Sequence, residues 1–141
     1  MKKDLELLLT GKYKGLAPGD SIEKLKETIK NPFHNMSDGD TEIYSDELRT
    51  EFTFINNTLH FIVIKSFKKG FLSPKFSKTI KRLQKEKISW FFNRELTLCD
   101  QTAIRIEATS VDLIFSVDQK GELVLGKVGL YKPLSFPQYS S

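Results

Sequence analysis

The chain has 141 residues, a net charge of +4 and a single cysteine. That length suits one domain spanning residues 1–141 and able to bury about two thirds of its unfolded surface. Cys99 alone excludes an internal disulfide and a multi-cysteine zinc site and reads as an apolar filler. No apolar run approaches the length needed to cross a bilayer, which points to a protein outside the membrane.

The chain opens on MKKDLELLLTGK, where Asp4 and Glu6 break the apolar run of a would-be signal peptide and Thr10-Gly11-Lys12 ends it. A cytoplasmic location is therefore expected. DLELLL predicts a short helix held by Leu5, Leu8 and Leu9 and ended by Gly11, because so few residues are not helical without packing. Pro18-Gly19 predicts a turn. Asp20 and Glu23 form a D-x-x-E capping pair for a second helix. Ile22, Leu25 and Ile29 line one stripe of that helix, and Asn31-Pro32 closes it.

After the polar loop NPFHNMSDGD the apolar period becomes two. DTEIYSD, LRTEFTF and TLHFIVI predict three strands, with Leu48, Thr50, Phe52 and Phe54 on one face and Asn56-Asn57 as a tight hairpin turn. Ser73-Pro74 announces a third helix with Pro in its first turn. Its buried stripe is Phe76, Ile80 and Leu83, and Lys78, Arg82 and Lys85 share another face. KISWFF, AIRIEA, VDLIFSV and ELVLGKVGLY complete the strands, with Gly121 in the last hairpin turn. Val111, Leu113, Phe115 and Val117 alternate there with Asp112 and Ser116, and residues 132–141 read as a surface tail.

Helix plus strands occurs twice. In each half a strand ends in Phe (Phe54, Phe115) before a hairpin turn, and the next resumes at Leu (Leu59, Leu123). The expected fold is α+β: an antiparallel sheet with helices on one face, in two similar halves.

Catalytic groups do not converge in this pattern. His60 lies inside a strand, as a hydrogen-bonded or half-exposed side chain would, and His34 sits in a polar loop without a nucleophile motif, so no enzymatic activity and no cofactor are expected. Two charged clusters are the candidate binding surfaces. Asp38, Asp40, Glu42, Asp46 and Glu47 form an acidic segment that lacks the EF-hand ligand spacing, so it is a solvated loop or a surface that docks a basic partner, with no metal expected. Residues 65–87 hold nine basic side chains against the single acid Glu86, whereas the rest of the chain carries 13 basic and 17 acidic groups. Within that segment Lys and Arg alternate with Phe67, Phe71 and Phe76. It is a solvated cationic helix, a protein-docking face through Lys78, Arg82 and Lys85, or a nucleic-acid contact using phosphate pairing and stacking.

GKYKGLAPGDSIEKLKETIKNP followed by EIYSDELRTEFTFINNTLHFIVI resembles small bacterial proteins of the pattern G-x-x-x-G-[IL]-x-x-G-D-S, a short helix ending at Pro, then a Tyr-led alternating strand, a turn and a second strand. These are immunity partners of polymorphic and contact-dependent growth-inhibition toxins; Asn31 stands where the pattern has glycine before Pro. The resemblance implies a non-catalytic protein that occludes a cognate toxin domain. Gly11, Gly15, Pro18, Gly19 and Asp20 would then set the angle at which the helix begins, since the strand-to-helix context of a phosphate-binding loop is lacking.

Overall fold

The computed structural model describes residues 3–30, 34–35, 42–45, 48–65 and 71–131, with the backbone alone at residues 34, 35 and 42. The expected helix stop at Asn31-Pro32 and the surface tail at 132–141 lie outside the described residues. Three helices, α1 (Lys3–Thr10), α2 (Ile22–Thr28) and α3 (Phe76–Lys85), accompany eight strands: β1 (His34–Asn35), β2 (Glu42–Ser45), β3 (Thr50–Ile55), β4 (Thr58–Ile64), β5 (Trp90–Phe92), β6 (Gln101–Ile106), β7 (Asp112–Val117) and β8 (Leu123–Tyr131). All strands pair antiparallel in one sheet of order β1-β2-β3-β4-β8-β7-β6-β5. The fold is therefore α+β, as the change of apolar period predicts.

Two four-stranded meanders, each preceded by a helix, meet where β4 pairs with β8. Phe61 faces Tyr131, Ile62 faces Leu130, Val63 faces Gly129 and Ile64 faces Val128. This register is symmetric about Val63 and Gly129, so the halves are related by a pseudo-two-fold axis between those residues. The repeat extends to fine detail. Ser21, the residue capping α2, bridges Thr58 at the start of β4, and Lys75, in the same position before α3, bridges Val124 near the start of β8. Both hairpins also shift register at the same place. Phe54 pairs with Leu59 and Thr53 with Phe61, leaving His60 as the extra residue; Phe115 pairs with Leu125 and Ile114 with Lys127, leaving Gly126. Leu59 thus corresponds to Leu125, not to Leu123 as the sequence spacing suggests.

One face of the sheet and the helices share a single apolar cluster. Leu7 and Leu8 of α1, Ile22, Leu25 and Ile29 of the α2 region and Leu83 of α3 pack with Ile43, Phe52, Phe54, Leu59, Ile62, Ile104, Leu113, Phe115 and Val128. Phe76 meets Phe115 edge to face with ring centroids 5.0 Å apart. Some details depart from the sequence pattern. Leu9 is exposed and Leu7 takes its place in α1, because the helix turns its i, i+3 side toward the sheet. Thr79 is fully buried in α3, its hydroxyl donating to the Ser73 carbonyl and accepting from the Ser73 N–H. Pro74 precedes α3 and does not occupy its first turn; its carbonyl accepts from Leu125. Val117 is exposed at the end of β7, and Cys99 is also exposed, in the turn between Leu98 and Gln101, which corrects its reading as a filler.

The glycine-rich opening builds turns. Gly11 ends α1 at positive φ, with its N–H on the Leu7 carbonyl, and Lys14-Gly15, both at positive φ, close a two-residue hairpin in which Tyr13 and Leu16 exchange both backbone bonds. Ser21 caps α2 by accepting from the Lys24 N–H. Asp20 instead receives the Ala17 N–H and pairs with Lys24, so the cap lies one residue later than expected. Asn56 and Asn57 both adopt positive φ, as the hairpin they were expected to make requires.

Phe54 and Phe115 hold equivalent positions in the two halves and are 2% and 0% exposed. Truncating either to Ala should cost about 3 to 5 kcal/mol. Urea unfolding followed by circular dichroism tests this, and a midpoint unchanged in either variant would show that the equivalence of the two halves does not extend to the core.

Candidate partner-binding surface

The charged residues singled out from sequence fall into two groups. Asp38, Asp40, Asp46 and Glu47 lie outside the described residues, and Glu42 is described only as the backbone that begins β2. Lys78 and Lys85 are exposed on α3, and Lys75, Lys81 and Lys87 are exposed beside them. Arg82 does not belong with them. It is half-buried, and its guanidinium donates to the Phe71 carbonyl, so it fastens α3 to the preceding segment. That segment is held from the other side by Asp4, whose carboxylate accepts from the Phe71 N–H at 2.9 Å and the Leu72 N–H at 2.6 Å.

The aromatic residues interleaved with the basic ones are similarly occupied. Phe71 is buried and Phe76 packs against Phe115; Phe67 lies outside the described residues. At the start of the basic segment Lys65 pairs with Glu51 and lies over the Tyr44 ring. The remaining positive charge is concentrated on the outer side of α3, where the exposed lysines make no ion pair among the described residues.

A second surface carries no clear mark in the sequence. Opposite residues in an antiparallel pair share a face, so Tyr44, Glu51, Phe61, Val63, Gly129, Tyr131, Asp112 and Arg105 lie together on the side of the sheet away from the helices. The alternation of β7 assigns Asp112 to a solvated face, yet it is 0% exposed. Both of its oxygens accept from Arg105, Nε and Nη2 each at 2.8 Å, and both lie 3.3 Å from Asn93 Nδ2. Such a bidentate pair offsets the desolvation of two charges only because the geometry is good and further hydrogen bonds are made. The hydrogen bonds to Asp112 hold the Arg105 guanidinium above its usual range, against the opposing effect of burial. Alternation alone could not locate this network, because Asp in a strand reads the same whether solvated or bridged.

Tyr131 completes the surface. Its ring lies over Gly129, where any Cβ would collide with it, and meets Phe61 edge to face at 5.4 Å. Burial first, then the nearby Asp112 charge, raise the Tyr131 phenol above its usual value, and burial does the same at Tyr13, where a hydrogen bond to Thr50 partly opposes it. His60 is half-buried at the bulge of β4, in line with the sequence reading. Among the described residues no three His, Cys, Asp or Glu side chains gather into a set that could hold a metal ion, and no helix is long and apolar enough to cross a membrane.

Comparison with protein-family models, with curated proteins and with solved structures gives no match to this chain.

Breaking the Arg105–Asp112 pair from one side leaves a buried charge unpaired, so Arg105→Met should destabilise by about 3 kcal/mol or more. The double variant Arg105→Met/Asp112→Leu should recover most of that loss. A thermal-melt double-mutant cycle measures both, and a single variant as stable as the double would contradict the network's role.

The raised tyrosines make an alkaline prediction. A folded-state pKa above the unfolded one contributes stability that is intact below about pH 10 and is lost as pH rises toward the folded value. The urea midpoint should therefore fall between about pH 9 and about pH 11, and Tyr131→Phe should make that fall shallower. An equally steep fall in the variant would remove Tyr131 as a source.

Proposed function

We propose that the protein is a cytoplasmic, non-catalytic immunity protein that binds and occludes a cognate bacterial toxin domain. The reading starts from the resemblance of residues 11–32 and 42–64 to such proteins. The observation that carries it is the helix-free face of the sheet. There Phe61, Tyr131, Tyr44 and Arg105 are set on rigid strands, and the charges Lys65–Glu51 and Arg105–Asp112 are paired within the chain. Aromatic residues and arginine presented in a fixed arrangement suit protein docking, because little side-chain freedom is lost on binding. The acidic segment with Asp38, Asp40, Glu42, Asp46 and Glu47 and the exposed Lys78 and Lys85 of α3 would supply charges that steer encounter.

A nucleic-acid regulator is the second reading, favoured by the exposed lysines of α3, which make no ion pair among the described residues. Two of its three stacking candidates, Phe71 and Phe76, are taken up by the core. Two experiments separate the readings. A large toxin gene immediately upstream is the expected neighbour; production of the chain beside that toxin's C-terminal domain should protect cells, and reversing Asp38, Asp40 and Glu42 to Lys together with Lys78 and Lys85 to Glu should slow association and weaken protection without moving the melting temperature. Titration with duplex and single-stranded oligonucleotides at about 0.05 and 0.15 M salt should show little binding. Submicromolar binding that falls with a log-log slope near −0.9 per phosphate would favour the regulator instead.

A further inference from the structure

Among the described residues the sheet ends at β5, and none of them pairs with its outer edge. Along β5 and β6, Asn93 donates to the Ala103 carbonyl and Glu107 donates to the Ser89 carbonyl, both bonds on the line of register that pairs Phe91 with Arg105. Hydrogen-bonded pairs alternate along an antiparallel ladder. Ser89, Phe91 and Asn93 therefore direct their backbone groups at β6, while the N–H and C=O of Trp90 and Phe92 point outward, and no further bond is made at either residue. Side chains at this rim are also open. Phe91 is 49% exposed, Phe92 51% and Leu98, in the adjoining turn, 62%. Natural edges are blunted by shortness, lysine, proline, a bulge or a covering segment; the strand Trp-Phe-Phe is short, three residues, but has no charge, no proline and no register shift.

We infer that β5 is a self-association edge, at which a second copy of this chain adds its own β5 antiparallel and continues the sheet across a two-fold axis through Phe91. In that register Trp90 of one copy exchanges both backbone bonds with Phe92 of the other, so the outward groups of both strands are satisfied using strand residues alone. Phe91 faces its own counterpart on the helix-free side, and the Trp90–Phe92 edge-to-face pair, 5.2 Å between centroids, lines the other side. Two features commit the edge to a second copy. An uncharged strand meets its duplicate without like-charge conflict. The chain already joins its own equivalent strands in this way, β4 to β8 about Val63 and Gly129. The inference is independent of the toxin reading.

Trp90 is the only tryptophan, so it reports the event directly. Sedimentation and Trp90 emission are measured on the full chain from about 1 µM to about 500 µM, a range suited to a small interface of modest affinity. A concentration-dependent dimer, with emission shifting to the blue along the same curve, is expected. Phe92→Pro removes an outward N–H that β6 does not use, and Phe91→Lys places like charges together on the axis. Each should raise the dimer dissociation constant at least tenfold with the melting temperature of the dilute monomer nearly unchanged, while Val117→Lys, at an exposed apolar site elsewhere, should leave it unaltered. If Phe92→Pro fails to fold, Phe91→Lys decides. A wild type that stays monomeric throughout, or a dimer that survives Phe91→Lys, would overturn the proposal.

Discussion

The pairing of β4 with β8 is the interaction on which the rest of the structure depends. Among the described residues it is the only ladder that links the two meanders, since every other pair joins strands consecutive in sequence. Its residues alternate between faces: Ile62, Ile64, Val128 and Leu130 are all buried beneath the helices, while Phe61, Val63, Gly129 and Tyr131 look the other way. Either meander alone would expose one of these strands as an edge and leave its apolar face half covered, which few-stranded sheets tolerate poorly. Joining them antiparallel satisfies both edges at once and makes a core shared by residues from both ends of the chain.

The helices are tied to this central pair by equivalent bonds. Leu59 exchanges backbone bonds with Gly19 and Asp20 ahead of α2, and Leu125 donates to Pro74 ahead of α3. Because a helix start is bonded to the strand residue just ahead of each bulge, the two-fold relation of the strands is passed on to the helices. Ile22, Leu25 and Ile29 accordingly match Phe76, Thr79 and Leu83 in position. α1 lies outside the repeat. It is tied to the second half, with Asp4 gripping the backbone at Phe71 and Leu72 and the Leu8 carbonyl receiving the Thr109 hydroxyl. An N-terminal segment too short to be helical alone is stabilised in this way by contacts far along the chain.

Charge is divided by depth. Lysines collect on the solvent side of α3, whereas the arginines at positions 82 and 105 are drawn inward, one to a backbone carbonyl and the other to Asp112. The planar guanidinium, with its several donors, suits such sites better than a strongly hydrated ammonium. Burial of Asp112 and Arg105 on the helix-free face fixes a polar point among Phe61, Tyr131 and Ile114 and gives that face a defined shape, the quality a docking surface needs. The basic segment that stands out in the sequence thus contributes one residue, Arg82, to holding α3 in place, while its exposed lysines make the outer surface.

Local chemistry determined much of this protein by itself. Periods of 3.6 and 2 placed the helices and the strands; Asn56-Asn57 and Gly121 marked turns through their tolerance of positive φ; and the repeated helix-plus-strands order announced two halves. These features depend on neighbours a few residues apart, so they are visible in a linear reading. Tertiary structure alone decided the rest. Which strands meet at the centre, the equivalence of Leu59 with Leu125, the burial of Asp112, the inward turn of Arg82 and the exposure of Cys99 and of the β5 edge all depend on groups distant in sequence. Asp112 shows why: its carboxylate is buried because Arg105, Asn93 and Tyr131 converge on it from three other parts of the sheet, and nothing within its own strand encodes that convergence.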